Sequence, residues 1–148
     1  MEGRINIQRD ESTIQLHINY RGSVLARGDR DESARMRAGD RAPDVAHLMT
    51  AGGSRRLFDM MRGGRFTLLN FGPRLDEAVE AAPFDLRTLN VVDWPKLSDE
   101  IADREGDLVR LYGATDRTLL LVRPDGYVAA ISDGGDRSVI SDYFAALR

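Results

Sequence analysis

The first clear pattern in the chain is a strict alternation of apolar and polar residues over Thr13–Tyr20. Side chains alternate between the two faces of a strand, so this period of two predicts a strand that is half-buried against a partner. Residues 27–37 are nearly all Arg, Asp, Glu, Gly and Ser and predict a linker, because they offer little apolar surface to bury. We therefore divide the chain into an N-terminal arm with its linker, residues 1–37, and a folded domain, residues 38–148. The apolar face of the arm is a candidate association face and consists of Ile14, Leu16, Ile18 and Tyr20.

Beyond residue 38, short apolar runs alternate with stretches of helical spacing. A nearly continuous apolar run indicates a strand buried on both faces, and polar caps and glycines mark where helices begin and end. The predicted elements are a strand at Val45–Met49, a helix at Ser54–Arg62 with Ser54 as its N-cap, a strand at Phe66–Phe71, a helix at Asp76–Ala82, a strand at Leu86–Val92, a helix from a cap at Ser98 to about Tyr112, and a C-terminal helix capped by Asp136 or Ser138.

The most distinct local pattern is a predicted antiparallel hairpin over 117–131. Its turn is Arg123–Pro124–Asp125–Gly126, in which Pro124 pre-sets one dihedral angle and Gly126 accepts a positive φ. From residue 38 the predicted order is therefore β, α, β, α, β, α, β, β, α. A unit of parallel strands followed by a hairpin and a final helix is the thioredoxin arrangement. We predict an α/β fold with a thioredoxin-like central mixed sheet flanked by helices, preceded by the strand-bearing arm.

Candidate chemistry is sparse. The chain has no cysteine, which excludes disulfides, thiolate nucleophiles and thiol exchange. A thioredoxin or peroxiredoxin carries its reactive cysteine where Phe71–Asp76 lies here, and this segment holds no nucleophile. Arg74 in it is either an anion-binding residue or a surface arginine. Trp94 follows a strand end, where α/β folds often bind ligands, and is otherwise a core or interface residue. No catalytic residue and no metal site is predicted.

Charge and composition exclude several classes of function. A net charge of −3 and a pI near 5.4 argue against a nucleic-acid-binding protein, which needs a concentrated basic face. No polybasic membrane patch, no apolar run of about 20 residues and no signal-peptide core is present, so the cytoplasm is the expected compartment. The paired glycines at 52–53, 63–64 and 134–135 do not form a nucleotide- or flavin-binding motif.

Several stretches resemble a known family. Ala38–Asp44, Arg56–Asp59 and Gly64–Asn70 resemble the start of the C-terminal thioredoxin-like domain of class A flavoprotein monooxygenases, the FAD-dependent hydroxylases of phenols and aromatic polyketides. Leu121–Ala129, which contains the hairpin turn, is similar to the most characteristic stretch of that domain. Gln15–Ser23 resembles the last strand of the catalytic part, so the resemblance implies that the arm is the tail of a missing catalytic part.

In that family, FAD and the aromatic substrate are held by upstream domains whose flavin motifs this sequence lacks. The resemblance therefore implies a non-catalytic accessory or association domain, with FAD expected only in the related full-length enzymes and no cofactor in this chain. The partners it implies are a second copy of the chain or a flavin-binding monooxygenase subunit. The alternative is a small ligand-binding protein or a thiol-independent enzyme on the same fold, with a pocket near Arg74 and Trp94.

Overall fold

A computed structural model describes residues 27–28, 36–75, 79, 82–83 and 85–147 of the chain. Within these residues it contains eight strands and three helices. In chain order they are β1 Arg27–Gly28, β2 Leu48–Thr50, β3 Gly53–Arg55, α1 Leu57–Met60, β4 Thr67–Asn70, β5 Arg87–Val91, β6 Glu100–Ala102, α2 Asp107–Tyr112, β7 Leu119–Val122, β8 Val128–Ser132 and α3 Arg137–Ala146.

The strands form one mixed sheet in the order β1-β8-β7-β4-β5-β6-β2-β3. The three central neighbours β4, β5 and β6 run parallel, whereas β7 is antiparallel to both β4 and β8. Beyond β6 in the strand order, β2 is antiparallel to β6 and to the edge strand β3. This topology confirms the predicted α/β class and the thioredoxin-like mixed sheet.

Each face of the sheet has its own apolar core. Leu69 and Leu120 point to the face covered by α1 and α2, and Leu68 and Leu121 point to the face covered by α3. All four residues of β4 are buried, as the nearly continuous apolar run Phe66–Phe71 predicts. On the α3 face, the Phe66 ring packs edge-on against two aromatic rings of the helix, with centroids 6.0 and 5.2 Å away.

The predicted hairpin and C-terminal helix are both confirmed. Gly126 in the turn has φ +91°, and its N–H donates to the Arg123 carbonyl at 2.9 Å. Asp136 is the N-cap of α3, and its carboxylate accepts a hydrogen bond from the Ser138 N–H at 2.9 Å. Both features depend on residues that are close in sequence, which is why the sequence pattern sufficed.

The helix predicted at Ser54–Arg62 is wrong in its first part. Ser54 lies in β3, in a hairpin with β2, and helix α1 spans only Leu57–Met60. The Phe58 N–H at the start of this helix donates instead to the Asp44 carboxylate at 2.9 Å. Because Asp44 precedes Phe58 by 14 positions, the local pattern could not reveal this contact.

The helix predicted from Ser98 to Tyr112 is also wrong in its first half. Residues Glu100–Ala102 form β6, which pairs with both β5 and β2. Ile101 is only 1% exposed, so burial between two strands overrides the local helical preference. Helix α2 starts after Gly106, and the Asp103 carboxylate accepts from the N–H groups of its first turns.

The predicted arm lies largely outside the described residues. The strand at Thr13–Tyr20, with Ile14, Leu16, Ile18 and Tyr20, is not among them, and neither is most of the predicted helix at Asp76–Ala82. Two pieces of the predicted linker are described. Arg27–Gly28 pairs parallel with β8, and Met36 is 8% exposed and joins the core.

Candidate functional site

The segment that would hold a redox cysteine follows β4 and is here called the β4 loop, residues 71–75. A buried asparagine pair holds it at the carboxyl ends of the parallel strands. Asn70 and Asn90 stand in register, and the Asn70 Nδ2 donates to the Asn90 Oδ1 at 2.8 Å. The same Nδ2 donates to the Pro73 carbonyl, and the Asn70 Oδ1 accepts from the Gly72 N–H. The pair therefore fixes the loop by replacing its missing backbone partners.

Arg74 closes the β4 loop from the other side. Its guanidinium makes a bidentate ion pair with Asp99, at 3.0 and 2.9 Å, and a further bond to Glu100 at 2.9 Å. Backbone N–H groups of Lys96 and Leu97 hold the pKa of Glu100 below its usual value, and the charge of Arg74 adds to this effect. An anion arriving at Arg74 would have to compete with these two carboxylates.

The β4 loop also packs against the backbone of the next segment. The Leu75 N–H donates to the Asn90 Oδ1 at 2.9 Å, and the Phe71 N–H donates to the Thr118 carbonyl at 2.9 Å. A Cβ added at Gly72 would stand 3.3 Å from the Arg117 Cα, which is backbone and has little room to move. The loop is thus a fixed structural element with no thiol.

An open cleft of about 590 Å³ lies beside the loop, between the strand ends and α2. Its floor is apolar and its rim is charged. Asp103 on the rim is occupied in capping α2. Among the described residues, the exposed carboxylates of Asp93 and Asp116 have no hydrogen-bond or ion-pair partner. The floor includes Phe71, Val91, Val109 and Ala114, and the rim includes Asp93, Asp103, Arg110 and Asp116.

Trp94 lines a second, shallower pocket of about 310 Å³, which shares Val92, Asp93 and Asp103 with the cleft. Its side chain is 70% exposed, so it is no core residue, and the Arg104 guanidinium stacks 4.3 Å from its ring centre. Arg74 lines neither pocket. The structure therefore places Trp94 at the predicted strand-end pocket and Arg74 in an ion-pair cluster away from it.

The hairpin turn 123–126 has a structural role in this fold. The Arg123 guanidinium pairs with Asp125 within the turn. The Ala42 N–H donates to the Gly126 carbonyl at 2.8 Å, and the neighbouring Asp40 carbonyl accepts from the Val128 N–H. The stretches 38–44 and 121–129, which carry the family resemblance, are therefore hydrogen-bonded to each other.

Asp44 and Tyr112 connect the same region to the helices. Burial alone would raise the pKa of Asp44, but hydrogen bonds from the Phe58 N–H and the Arg56 side chain outweigh it and hold the pKa below its usual value. The Tyr112 hydroxyl donates to the Pro43 carbonyl, and burial raises its pKa, so it stays protonated. Neither group faces the cleft.

Sequence reasoning missed the asparagine pair and the partners of Arg74. A signal for the pair was present, since each of the two apolar strands carries an asparagine directly after a leucine near its carboxyl end, at Asn70 and Asn90. In-register pairing of two parallel strands then brings these amides together. The described residues contain no group of three or more His, Cys, Asp or Glu side chains that could hold a metal ion. None of their helices has the length and apolarity to cross a membrane.

The fold and the site together define a thioredoxin-like domain whose redox position carries no thiol. Residues 35–147 match the family described as aromatic-ring hydroxylase, C-terminal. The chain belongs to this family, which confirms the resemblance found in the sequence.

The chain is similar to a flavin-dependent monooxygenase of Mycobacteroides abscessus, with 37% identity over 131 residues. The match covers 88% of the chain and 22% of that relative, so the chain spans about a fifth of its length. The structure is similar to aklavinone-11 hydroxylase in its complex with FAD and aklavinone, with a TM-score of 0.60 and 24% identity, covering 87% of this chain and 26% of the other.

A peroxiredoxin, Plasmodium yoelii Prx1a, shares the fold at a TM-score of 0.50 and 18% identity. This match covers 72% of the chain and 88% of the peroxiredoxin. It supports the thioredoxin-like arrangement of the sheet and helices and carries no functional argument at this level of identity.

Proposed function

We propose that this chain is a non-catalytic accessory and association domain of a flavin-dependent aromatic hydroxylase. The observation that carries the proposal is the β4 loop. At the position of a redox cysteine, the chain places a loop fixed by Asn70, Asn90 and the ion pairs of Arg74. This site is built for rigidity and holds no nucleophile, so the chemistry belongs to another part of the enzyme.

The residues of the cleft do not fit a flavin. A flavin dinucleotide brings a pyrophosphate, which favours glycine-rich backbone at a helix start or positive side chains. The rim instead carries the carboxylates of Asp93, Asp103 and Asp116, against the single arginine Arg110. In this proposal FAD binds outside this chain, in the larger remainder that the longer relatives possess.

The proposed division is an arm, residues 1–37, and a domain, residues 38–148. The arm mediates association with a second copy of the chain or with a flavin-binding subunit. Its alternating sequence supports this role, because a strand with one apolar face needs a partner.

Flavin binding tests the accessory role. Purified chain is dialysed against FAD, and the flavin retained is measured by absorbance. We expect no retention above buffer. Stoichiometric retention would contradict the proposal, because it would show that this chain forms a flavin site by itself.

Light scattering tests self-association through the arm. Ile14→Lys with Ile18→Lys places two charges on the apolar face, and Gln15→Lys with Asn19→Lys places the same charges on the polar face. We expect only the first pair to dissociate an oligomer. A native chain that is monomeric at every concentration would exclude association with its own copy.

The cleft supports a second candidate function, binding of a small aromatic ligand or a thiol-independent reaction. Its apolar floor, together with the exposed Trp94, is the observation that favours it. Trp94 is the single tryptophan, so its fluorescence reports this region directly. Titration with phenolic compounds should give a saturable change that Val109→Arg abolishes. Leu111→Arg is the control, since both side chains are 42% exposed on α2 and only Val109 lines the cleft. A flat response across the set would contradict this candidate.

A further inference from the structure

A second cluster of polar groups lies at the opposite end of the parallel strands, where β4 and β5 begin. Arg65 directly precedes Phe66 and β4, and Arg87 is the first residue of β5. The Arg87 N–H donates to the Phe66 carbonyl at 3.0 Å, which holds the two strand starts together. Burial lowers the pKa of Arg87, and repulsion from Arg65 and Arg55 lowers it further. Three positive charges therefore lie within electrostatic reach of one another.

These cations lack the partners that other arginines of the chain have. Arg56, Arg62 and Arg74 each contact a carboxylate at 3.0 Å or less. Within the described part of the chain, neither Arg65 nor Arg87 makes an ion pair or a side-chain hydrogen bond. Half-burying like charges without a counter-ion is unfavourable, because the protein interior screens repulsion less than water does.

A buried hydroxyl lies in the same place. Thr67 is 1% exposed, and its Oγ1 has no hydrogen-bond partner. Thr67 is in register with Arg87 across the parallel pair, so the two side chains stand side by side on one face. That face is the one covered by α1, because Leu69 and Leu89, two residues further along each strand, belong to its core.

Arg65 adds a second buried polar group without a partner. Its Nε is buried without a partner, and its guanidinium lies against Gly63, where a Cβ would be 3.5 Å from that Nε. A buried donor left without an acceptor costs roughly 1–3 kcal/mol, so folded proteins rarely keep several together. An oxyanion with several oxygen atoms offers an acceptor to each of these groups.

We propose that Arg65, Arg87 and Thr67 form a binding site for a phosphate group, with Arg55 adding long-range attraction. Guanidinium groups bind oxyanions through parallel N–H bonds, and a threonine hydroxyl donates to a further oxygen. A phosphate group carries about −1.5 to −2 charges near neutral pH, which matches two or three adjacent cations better than a single carboxylate does. This site is separate from the β4 loop and the cleft, and it does not depend on the accessory role proposed above.

Thermal unfolding of the full chain in phosphate, compared with chloride at equal ionic strength, tests the site. Binding to the folded state alone should raise the Tm in a saturable way, by roughly 9 °C at a hundredfold excess over the Kd. Arg87→Met and Thr67→Val should each weaken the apparent affinity about tenfold or more. Arg62→Met is the matched control and should leave the affinity unchanged, since Arg62 is a neighbouring exposed arginine paired with Asp59.

NMR of the arginine Nε–Hε groups gives a readout that does not depend on how variants fold. Addition of inorganic phosphate should shift the Arg65 signal along a saturable curve, and acetate at the same ionic strength should leave it in place. Phenyl phosphate separates the two sources, because binding of the ester indicates a phosphorylated ligand and binding of inorganic phosphate alone indicates the free ion. The proposal is overturned if neither phosphate gives a saturable shift, or if Arg87→Met and the native chain respond equally.

Discussion

The asparagine pair that holds the β4 loop can be tested by Asn90→Ala. Asn90 is 1% exposed, and its Oδ1 accepts from the Asn70 side chain at 2.8 Å and from the Leu75 N–H at 2.9 Å. The substitution removes both bonds at once. The Asn70 Nδ2 then keeps one of its two acceptors, the Pro73 carbonyl. The Leu75 N–H loses the acceptor that Asn90 provides.

The size of the effect follows from these two bonds. Each buried donor that loses its acceptor costs about 1–3 kcal/mol, and a small cavity adds to the loss. The free energy of unfolding should therefore fall by about 2–4 kcal/mol, out of a total of about 5–15 kcal/mol for a typical domain. A loss of this size lowers the Tm by roughly 10 °C in a domain of this length.

Urea unfolding followed by far-UV circular dichroism measures the change, and Thr88→Ala in the same strand is the control. Thr88 is half-buried and has no side-chain hydrogen bond among the described contacts, so its loss should be much smaller. Asn70→Ala and the double variant complete a mutant cycle, in which we expect a coupling energy of about 1 kcal/mol or more. A loss below about 0.5 kcal/mol for Asn90→Ala, or additive effects in the cycle, would refute the claim that this pair fixes the loop.

Three further predictions concern the framework around the site. Gly135→Ala should destabilise strongly and Gly134→Ala should not, because only Gly135 has a positive φ and a Cβ there would lie 2.8 Å from the Arg117 carbonyl oxygen; equal Tm values would contradict this. Asp44→Ala should lower the free energy of unfolding by about 1 kcal/mol at pH 7 and make that free energy fall less steeply at acid pH. Folding lowers the pKa of Asp44, so its contribution to stability is complete above the unfolded pKa of about 3.9 and is lost as the pH falls through the folded pKa. Tyr112→Phe should leave the alkaline absorbance titration of the folded chain unchanged, because burial raises the pKa of Tyr112 and keeps its hydroxyl protonated there.

The elements that the sequence predicted correctly are those whose determinants are local or purely apolar. Pro124, Asp125 and Gly126 specify their own turn, and Asp136 caps the helix that follows it directly. The buried strand at Thr67–Asn70 is recognisable from hydrophobicity alone. The α/β class and the mixed sheet follow from the order of these elements.

The errors arise where a distant residue decides the local structure. Asp44 caps α1 from 14 positions away, so Ser54 was free to join a strand although it looks like a cap. Glu100–Ala102 has the composition of a first helical turn, but it forms a strand because it pairs with β5 and β2. For the candidate site, the ion pair between Arg74 and Asp99 joins residues 25 positions apart and needs the sheet register to be known.

The residues that carry the family resemblance also bear on the proposed function. The stretches 38–44 and 121–129 meet through backbone hydrogen bonds at Ala42, Gly126 and Val128, and the Arg41 guanidinium lies 5.4 Å from the Tyr127 ring centre. These contacts join the segment entering the domain to its central hairpin, and none of these residues lines the cleft. The stretches that carry the family resemblance thus attach the first segment of the domain to the hairpin of β7 and β8. These contacts, together with the fixed loop at the redox position, support the accessory role proposed above, in which the flavin binds elsewhere.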